Sequence, residues 1–273
     1  LIHFKIMLQD INLIYSILIS IMLINGFYNF SYKLSLKLNN HLKIKNDFLR
    51  TLTIFFIITN LLAIITFNIS LFHKLNKDLI FLISIMIILI GFYKPIYFLK
   101  INKFILIKNH KLFLIYLILI SYFILSLSPI TDSDTLDYHL TVPLYSYEFG
   151  DSPFPRYWLT SQLAGIGEAL FIYSISLGGY HFSQILQFLC LFFIICIILK
   201  FEFDKKINLN KKYLSCLIIL TMPVFVFLTS TSKPQIFPIA CNFLSLILIF
   251  FYLPNSKNQN SLVLFFIAIF LLF

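Results

Sequence analysis

Five of the chain's 11 acidic residues, Asp132, Asp134, Asp137, Glu148 and Asp151, fall in one short stretch that follows an apolar run. At helical spacing Asp134, Asp137 and Tyr138 share a face, with Asp132 and His139 flanking it. Oxygen ligands so gathered could hold a divalent cation such as Mg or Mn through Asp132, Asp134 and Asp137. They could equally keep one carboxylate, Asp134 or Asp137, as general base for a hydroxyl nucleophile. The plainer alternative is a helix start. Pro129 leaves the preceding run, Thr131 or Asp132 caps a new helix, and first-turn carboxylates gain about 0.3–1 kcal/mol each from the helix dipole. His139 could act as ligand, proton carrier or hydrogen-bond donor to a phosphate, or stand as a structural histidine.

Three further residues carry charge where an apolar chain would avoid it. Glu168 lies among Gly165, Gly167 and Ala169, so a backbone or a substrate can approach it, and a carboxylate near lipid needs a partner. Arg156 is its nearest basic neighbour in sequence, and an Arg156–Glu168 pair is the structural reading. Lys233 sits among hydroxyls in the turn from Thr229 to Gln235, where a cation could meet a lipid-linked phosphate or simply snorkel. Gln184 and Gln187, near the end of their apolar run, either line a cavity or hydrogen-bond between helices.

The elements that must position these groups are set by composition. The chain is 60% hydrophobic with 33 Phe and 12% charged residues, and its mean hydropathy is +0.93. That excludes a soluble domain and fits an all-α, polytopic transmembrane helix bundle. The net charge of +10 reports topology rather than nucleic acid. All four cysteines lie within apolar runs without metal-ligand spacing, so neither a disulfide framework nor a zinc site is expected.

Runs able to span lie near Ile11–Phe30, Phe48–Phe72, Leu79–Phe98, Leu112–Leu127, Phe182–Leu199, Tyr213–Leu228 and Ile236–Leu253. The first lacks a small-residue cleavage site and reads as a retained helix. The last run, Leu262–Phe273, is short for a crossing, and the chain reads as C-terminally incomplete. Three connections, Ser31–Asp47, Lys94–Lys111 and Lys200–Lys212, are rich in lysine and belong on the cytoplasmic side. Alternation then places the N-terminus, the His73–Asp78 turn, the acidic loop and the Ser230–Gln235 turn on the opposite side. In the inner membrane of a bacterium that side is the periplasm. The division expected is residues 1–111 as N-terminal helices and 112–273 as a core, with the acidic loop over 129–180. Within that loop Trp158–Leu177 carries a helical stripe and reads as an interfacial or re-entrant helix.

The loop resembles the first periplasmic loop of the C-type (GT-C) membrane glycosyltransferases, the group that includes lipid A aminoarabinose transferases and protein mannosyltransferases. Asp134 with Tyr138 matches their Asp-Glu-x-x-Tyr-like motif in order, with Thr135 at the second acidic position. Gly150, Asp151, Ser152 and Pro153 match their Gly-Asp-x-x-Pro-like stretch. The resemblance covers about Leu112 to Leu253. It implies a multi-span fold with interfacial helices, a polyprenyl-phosphate sugar as donor, a cell-envelope acceptor, and Asp134 as catalytic base or metal-associated carboxylate. Asp137, His139, Asp132, Tyr138, Arg156, Glu168 and Lys233 complete the expected site. The rival readings are a transporter or flippase for an envelope precursor, which would want ionisable groups within the spans, and a non-catalytic subunit of an envelope complex.

Overall fold

The computed structural model describes residues 12–38, 42, 44, 46–72, 74–92, 110–152, 163–200, 209–254 and 258–272, and every regular element among them is helical. The first half holds α1 (Leu13–Lys37), α2 (Asp47–Leu71), α3 (Lys77–Phe92), α4 (His110–Ser126), a π-helical turn (Thr135–His139) and α5 (Thr141–Phe149). Then come the short α6 (Ile166–Ala169) and α7 (Ile172–Ile175), α8 (Phe182–Lys200), α9 (Leu209–Thr221), α10 (Pro223–Ser230), α11 (Ile236–Ile247) with a second π turn (Leu248–Tyr252), and α12 (Asn258–Leu272).

Among the described residues α1, α2 and α8 are each long and apolar enough to cross a membrane, and the bent pair α9–α10 makes a fourth crossing if counted as one span. The outward faces agree. Steps of three and four residues leave Leu79, Leu82, Met86 and Leu89 exposed along α3, and Phe113, Leu117, Ile120 and Ile124 along α4. Continuous apolar stripes facing outward suit lipid rather than water. The chain is an integral membrane protein built as an all-helical bundle.

Small and hydroxyl-bearing residues face inward, where lipid supplies no driving force and close approach does. Ser20, Thr59 and Ser84 are buried and donate to the carbonyls of Ser16, Phe55 and Ile80 one turn back, at 2.7–2.8 Å. At Gly26 a Cβ would lie 2.1 Å from the Ile87 carbonyl oxygen, so α1 and α3 touch backbone to backbone there.

Hydrogen bonds gather the polar turns at one end of the bundle, as the alternation of the runs predicts. Leu75 N–H donates to the Gly150 carbonyl at 3.0 Å and Ser152 N–H to that of Ser70 at 3.2 Å. His181 N–H donates to Ser16 Oγ at 3.2 Å, and Ser183 Oγ to the Ser232 carbonyl at 2.7 Å. Near the start of α2, Lys200 Nζ lies 4.8 Å from the Phe48 ring centre. The N-terminal helices therefore interlock with the residues that follow rather than standing apart, and Thr66 Oγ1 meets the Tyr173 hydroxyl at 2.7 Å.

Two expected elements differ. The Tyr213–Leu228 run breaks at Met222 and bends by 59°, because Pro223 has no N–H to continue the helix. The Trp158–Leu177 stripe is not one helix. Trp158–Gln162 lies outside the described residues, as do Tyr93–Phe98 of the third expected span, and the remainder forms α6 and α7. Phe171 N–H reaches back to Glu168 and Ser174 N–H to Phe171, at 2.9 and 3.0 Å. These bonds are one residue shorter than an α-helix needs, in a stretch already weakened by Gly165 and Gly167.

Candidate functional site

Of the two caps that the sequence offers, Thr131 and Asp132, the structure uses Asp132. Its Oδ2 accepts from Thr135 N–H at 3.0 Å and Thr135 Oγ1 at 2.9 Å, supplying a partner that the first turn otherwise lacks. The turn that follows is wider than expected. Leu140 N–H donates five residues back to the Thr135 carbonyl at 3.0 Å, so the α-helical spacing that put Asp134, Asp137 and Tyr138 on one face does not apply. Such turns recur where a side chain is re-aimed for function. Here His139 is carried into the interior while Asp134 stays exposed.

The Thr231–Gln235 turn is wedged against this segment. Gln187 on α8 holds its far side, its Oε1 accepting from Ile236 N–H at 2.7 Å and Phe237 N–H at 3.0 Å, and Gln184 Nε2 donates to the Ser230 carbonyl at 2.6 Å. The two glutamines thus fix a helix start and a turn. On the near side Ser232 N–H donates to Thr135 Oγ1 at 3.3 Å. Lys233 Nζ then lies 2.8 Å from Asp134 Oδ2 and 3.7 Å from Asp132 Oδ2, and 4.9 Å from the Phe227 ring centre.

These contacts set the charges. Desolvation works against the Lys233 ammonium, but the hydrogen bond with Asp134 and the charges of Asp132 and Asp134 outweigh it and raise its pKa. Lys233 in turn, through that hydrogen bond and then its charge, holds the Asp134 carboxyl below the usual range. A carboxylate so engaged is a weaker base than one left free. The ammonium also occupies the position between Asp132 and Asp134 where a divalent cation would bind, so lysine and metal compete for the same oxygens. Among the described residues no group of three or more His, Cys, Asp or Glu side chains is placed to hold a metal ion.

The second pair is deeper. His139 Nδ1 and Glu168 Oε1 are hydrogen-bonded at 2.6 Å, with both side chains nearly inaccessible, and Glu168 Oε2 accepts from Gly165 N–H at 2.8 Å. Among the described residues His139 Nε2 is buried without a hydrogen-bond partner, a situation that costs about 1–3 kcal/mol when nothing fills it. Gly167 docks this pair onto the lysine turn, since a Cβ there would meet Pro234 at 2.9 Å. Tyr138 lies against the second pair, its ring 4.1 Å from that of His139. Burial, then the charge of Asp134, with smaller contributions from Glu168 and Asp132, raise the Tyr138 phenol against the opposing pull of Lys233.

Residues 90–273, more than half of the chain and including every residue of both pairs, match the DUF1420 N-terminal domain. The chain belongs to the DUF1420 family. No curated protein and no solved structure matches it.

Of the residues expected from sequence, this DUF1420 domain brings Asp132, Asp134 and Lys233 into one cluster and His139 and Glu168 into another, with Tyr138 against His139. Asp137 is half-buried on the π turn, and Arg156 lies outside the described residues. Glu168 has both oxygens engaged by His139 and Gly165. Ser232 and Pro234, which join the clusters, were not singled out from the sequence, and Thr135 was named there only as a departure from the acidic motif. The spacing Gly165-x-Gly167-Glu168 was the nearest signal, because adjacent glycines beside a buried acid mark a close backbone approach. A cavity of about 110 Å³ lies against Glu168, lined also by Ser70, Ser146 and Ser152.

Proposed function

We propose that this DUF1420 protein is a membrane glycosyltransferase that moves a sugar from a polyprenyl-phosphate donor to a cell-envelope acceptor. The loop would face the bacterial periplasm, opposite the lysine-rich connections. One observation carries the reading. Lys233 is a mostly buried ammonium, held at the polar end of the bundle by two carboxylates of which one, Asp134, is exposed and displaceable. A sugar phosphate arriving from the lipid can take the place of Asp134, and Lys233 then neutralises the charge that develops on the departing phosphate. The acceptor hydroxyl attacks the anomeric carbon and loses its proton to a base of the same loop. The Asp134–Tyr138 and Gly150–Pro153 motifs supply independent support through their resemblance to the C-type enzymes. So does an apolar cavity of about 450 Å³ among α1, α3, α4 and α8, lined by Met22, Tyr28, Phe92, Phe123 and Phe193 among others, which suits a hydrocarbon chain.

The test is transfer from radiolabelled polyprenyl-phosphate sugars in membranes carrying the wild-type protein, Lys233→Met, Asp134→Asn or Asp137→Asn. Transfer in wild type with a loss of 10²-fold or more in Lys233→Met at equal expression is expected from the removal of a charge that stabilises the transition state. Wild-type levels in Lys233→Met would remove the lysine from the mechanism. No transfer from any donor, in wild type, would favour a transporter for the same class of lipid.

A further inference from the structure

We infer that His139 Nε2 is the atom that takes the proton from the acceptor hydroxyl, and that Glu168 is the positioning residue that holds the imidazole in the tautomer required. This rests on the transferase reading and names its base.

A carboxylate only accepts hydrogen bonds, so the contact from Nδ1 to Glu168 Oε1 at 2.6 Å puts a proton on Nδ1. The second ring nitrogen of the neutral imidazole then carries the lone pair. Glu168 itself is kept from rotating, because Gly165 N–H occupies its other oxygen at 2.8 Å. Among the described residues Nε2 is buried and without a hydrogen-bond partner, in contrast to Asp134, whose oxygen already accepts from Lys233. The groups around the ring divide the work. Tyr138 lies against it from its own segment and Glu168 binds it from α6, while Asp134 is engaged by Lys233.

The step balances. The acceptor oxygen forms a bond to the anomeric carbon, and the bond from that carbon to the donor phosphate oxygen breaks. Its electron pair leaves with the lipid phosphate beside Lys233, and the hydroxyl proton passes to Nε2. The resulting imidazolium is stabilised by the Glu168 carboxylate and returns its proton to water after release.

Two measurements decide the matter. In nanodiscs containing the chain labelled with ¹⁵N-histidine, the His139 resonances are assigned by their loss in His139→Gln. A lone-pair shift at Nε2 and a protonated shift at Nδ1 are expected in wild type, with the two tautomers mixed in Glu168→Gln. A proton on Nε2 and a bare Nδ1 in wild type would overturn the assignment, whatever the activity. In the transfer assay, with the polyprenyl-phosphate hexose that wild type uses, His139→Gln and Glu168→Gln should each lower kcat about 10²-fold or more with donor KM unchanged. Asp134→Asn should instead alter donor KM. Transfer by His139→Gln within two-fold of wild type would sink the base assignment while leaving the transferase intact. A wild type without transfer but with the expected nitrogen shifts would overturn the transferase and the base role together, and leave Glu168 as the residue that sets the tautomer.

Discussion

Glu148 and Glu168 belong to the same loop, and each lies within 2.7 Å of a basic nitrogen, yet they do different things. Glu148 meets Lys77 at the surface, where the two side chains are 33% and 43% exposed, and the lysine also lies 5.6 Å from the Tyr147 ring centre. Glu168 meets His139 where the two are 6% and 7% exposed. Water can replace either partner of the first pair, so the bridge contributes little and mainly tacks the start of α3 to α5. Glu168 is held by two donors at once, His139 and the Gly165 N–H. Its removal leaves an imidazole and the Gly165 N–H without partners in a space that water enters only at a cost. Geometry alone would rank the two bridges as equals, and burial separates them.

The sharpest way to break the comparison is Glu168→Ala. With two donors orphaned, it should cost about 3 kcal/mol and give the largest fall in melting temperature of any change in the loop, read from detergent-solubilised protein. A fall no greater than that of Glu148→Ala would mean that the two pairs are equivalent after all. Gly167→Ala comes next. Its methyl group would meet Pro234 at 2.9 Å, and relieving that overlap should cost about 2 kcal/mol while moving α6 away from the lysine turn. Transfer should fall further than the melting temperature does, because the separation of His139 from Lys233 changes while each pair stays formed.

The difference between the pairs also shows what the sequence could and could not reveal. The helical bundle was legible, since apolar runs of fixed length admit few other folds. The gathering of polar turns at one end was legible from the lysine-rich connections. Asp132 as one of two candidate caps was read from residue type and turn position alone. The pairing of His139 with Glu168 was not. It needs a π turn, which adds a residue to the helical period and re-aims His139, and no periodicity argument built on 3.6 residues can anticipate that. The imidazole that meets Glu168 lies 29 residues away in sequence, out of reach of any argument from chain neighbours. Prolines and glycines defeated the period elsewhere as well, at Met222–Pro223 and at Gly165–Gly167.

Asp134 lies between the two extremes, paired like Glu168 but exposed like Glu148, and pH sharpens the distinction. Its hydrogen bond to Lys233, and then that ammonium's charge, lower its pKa from the ordinary 3.8. A carboxyl whose folded pKa is depressed contributes stability above its unfolded value and loses it as pH falls through the folded one. Wild type should therefore lose a small increment of stability below pH 3.8, and Asp134→Asn should lack that increment at neutral pH and show less acid sensitivity. Melts at the two pH values check the sign. An unchanged acid limb in Asp134→Asn would mean that the pair adds nothing to the fold, whatever it does for a phosphate.

The smallest effect belongs to Lys77–Glu148, and salt makes it informative. Glu148→Gln should lower stability by about 0.5 kcal/mol or less, since an exposed pair gives up in side-chain freedom much of what it gains in attraction. Raising the ionic strength to about 1 M shortens the screening length to about 3 Å, which should erase that remainder. The deficit of Glu168→Gln should persist in the same salt, because His139 and Glu168 meet directly with only 7% and 6% of their side chains exposed to screening ions. If salt erased both deficits alike, the interior pair would have to be reached by water and ions, and the burial on which its positioning role rests would be lost.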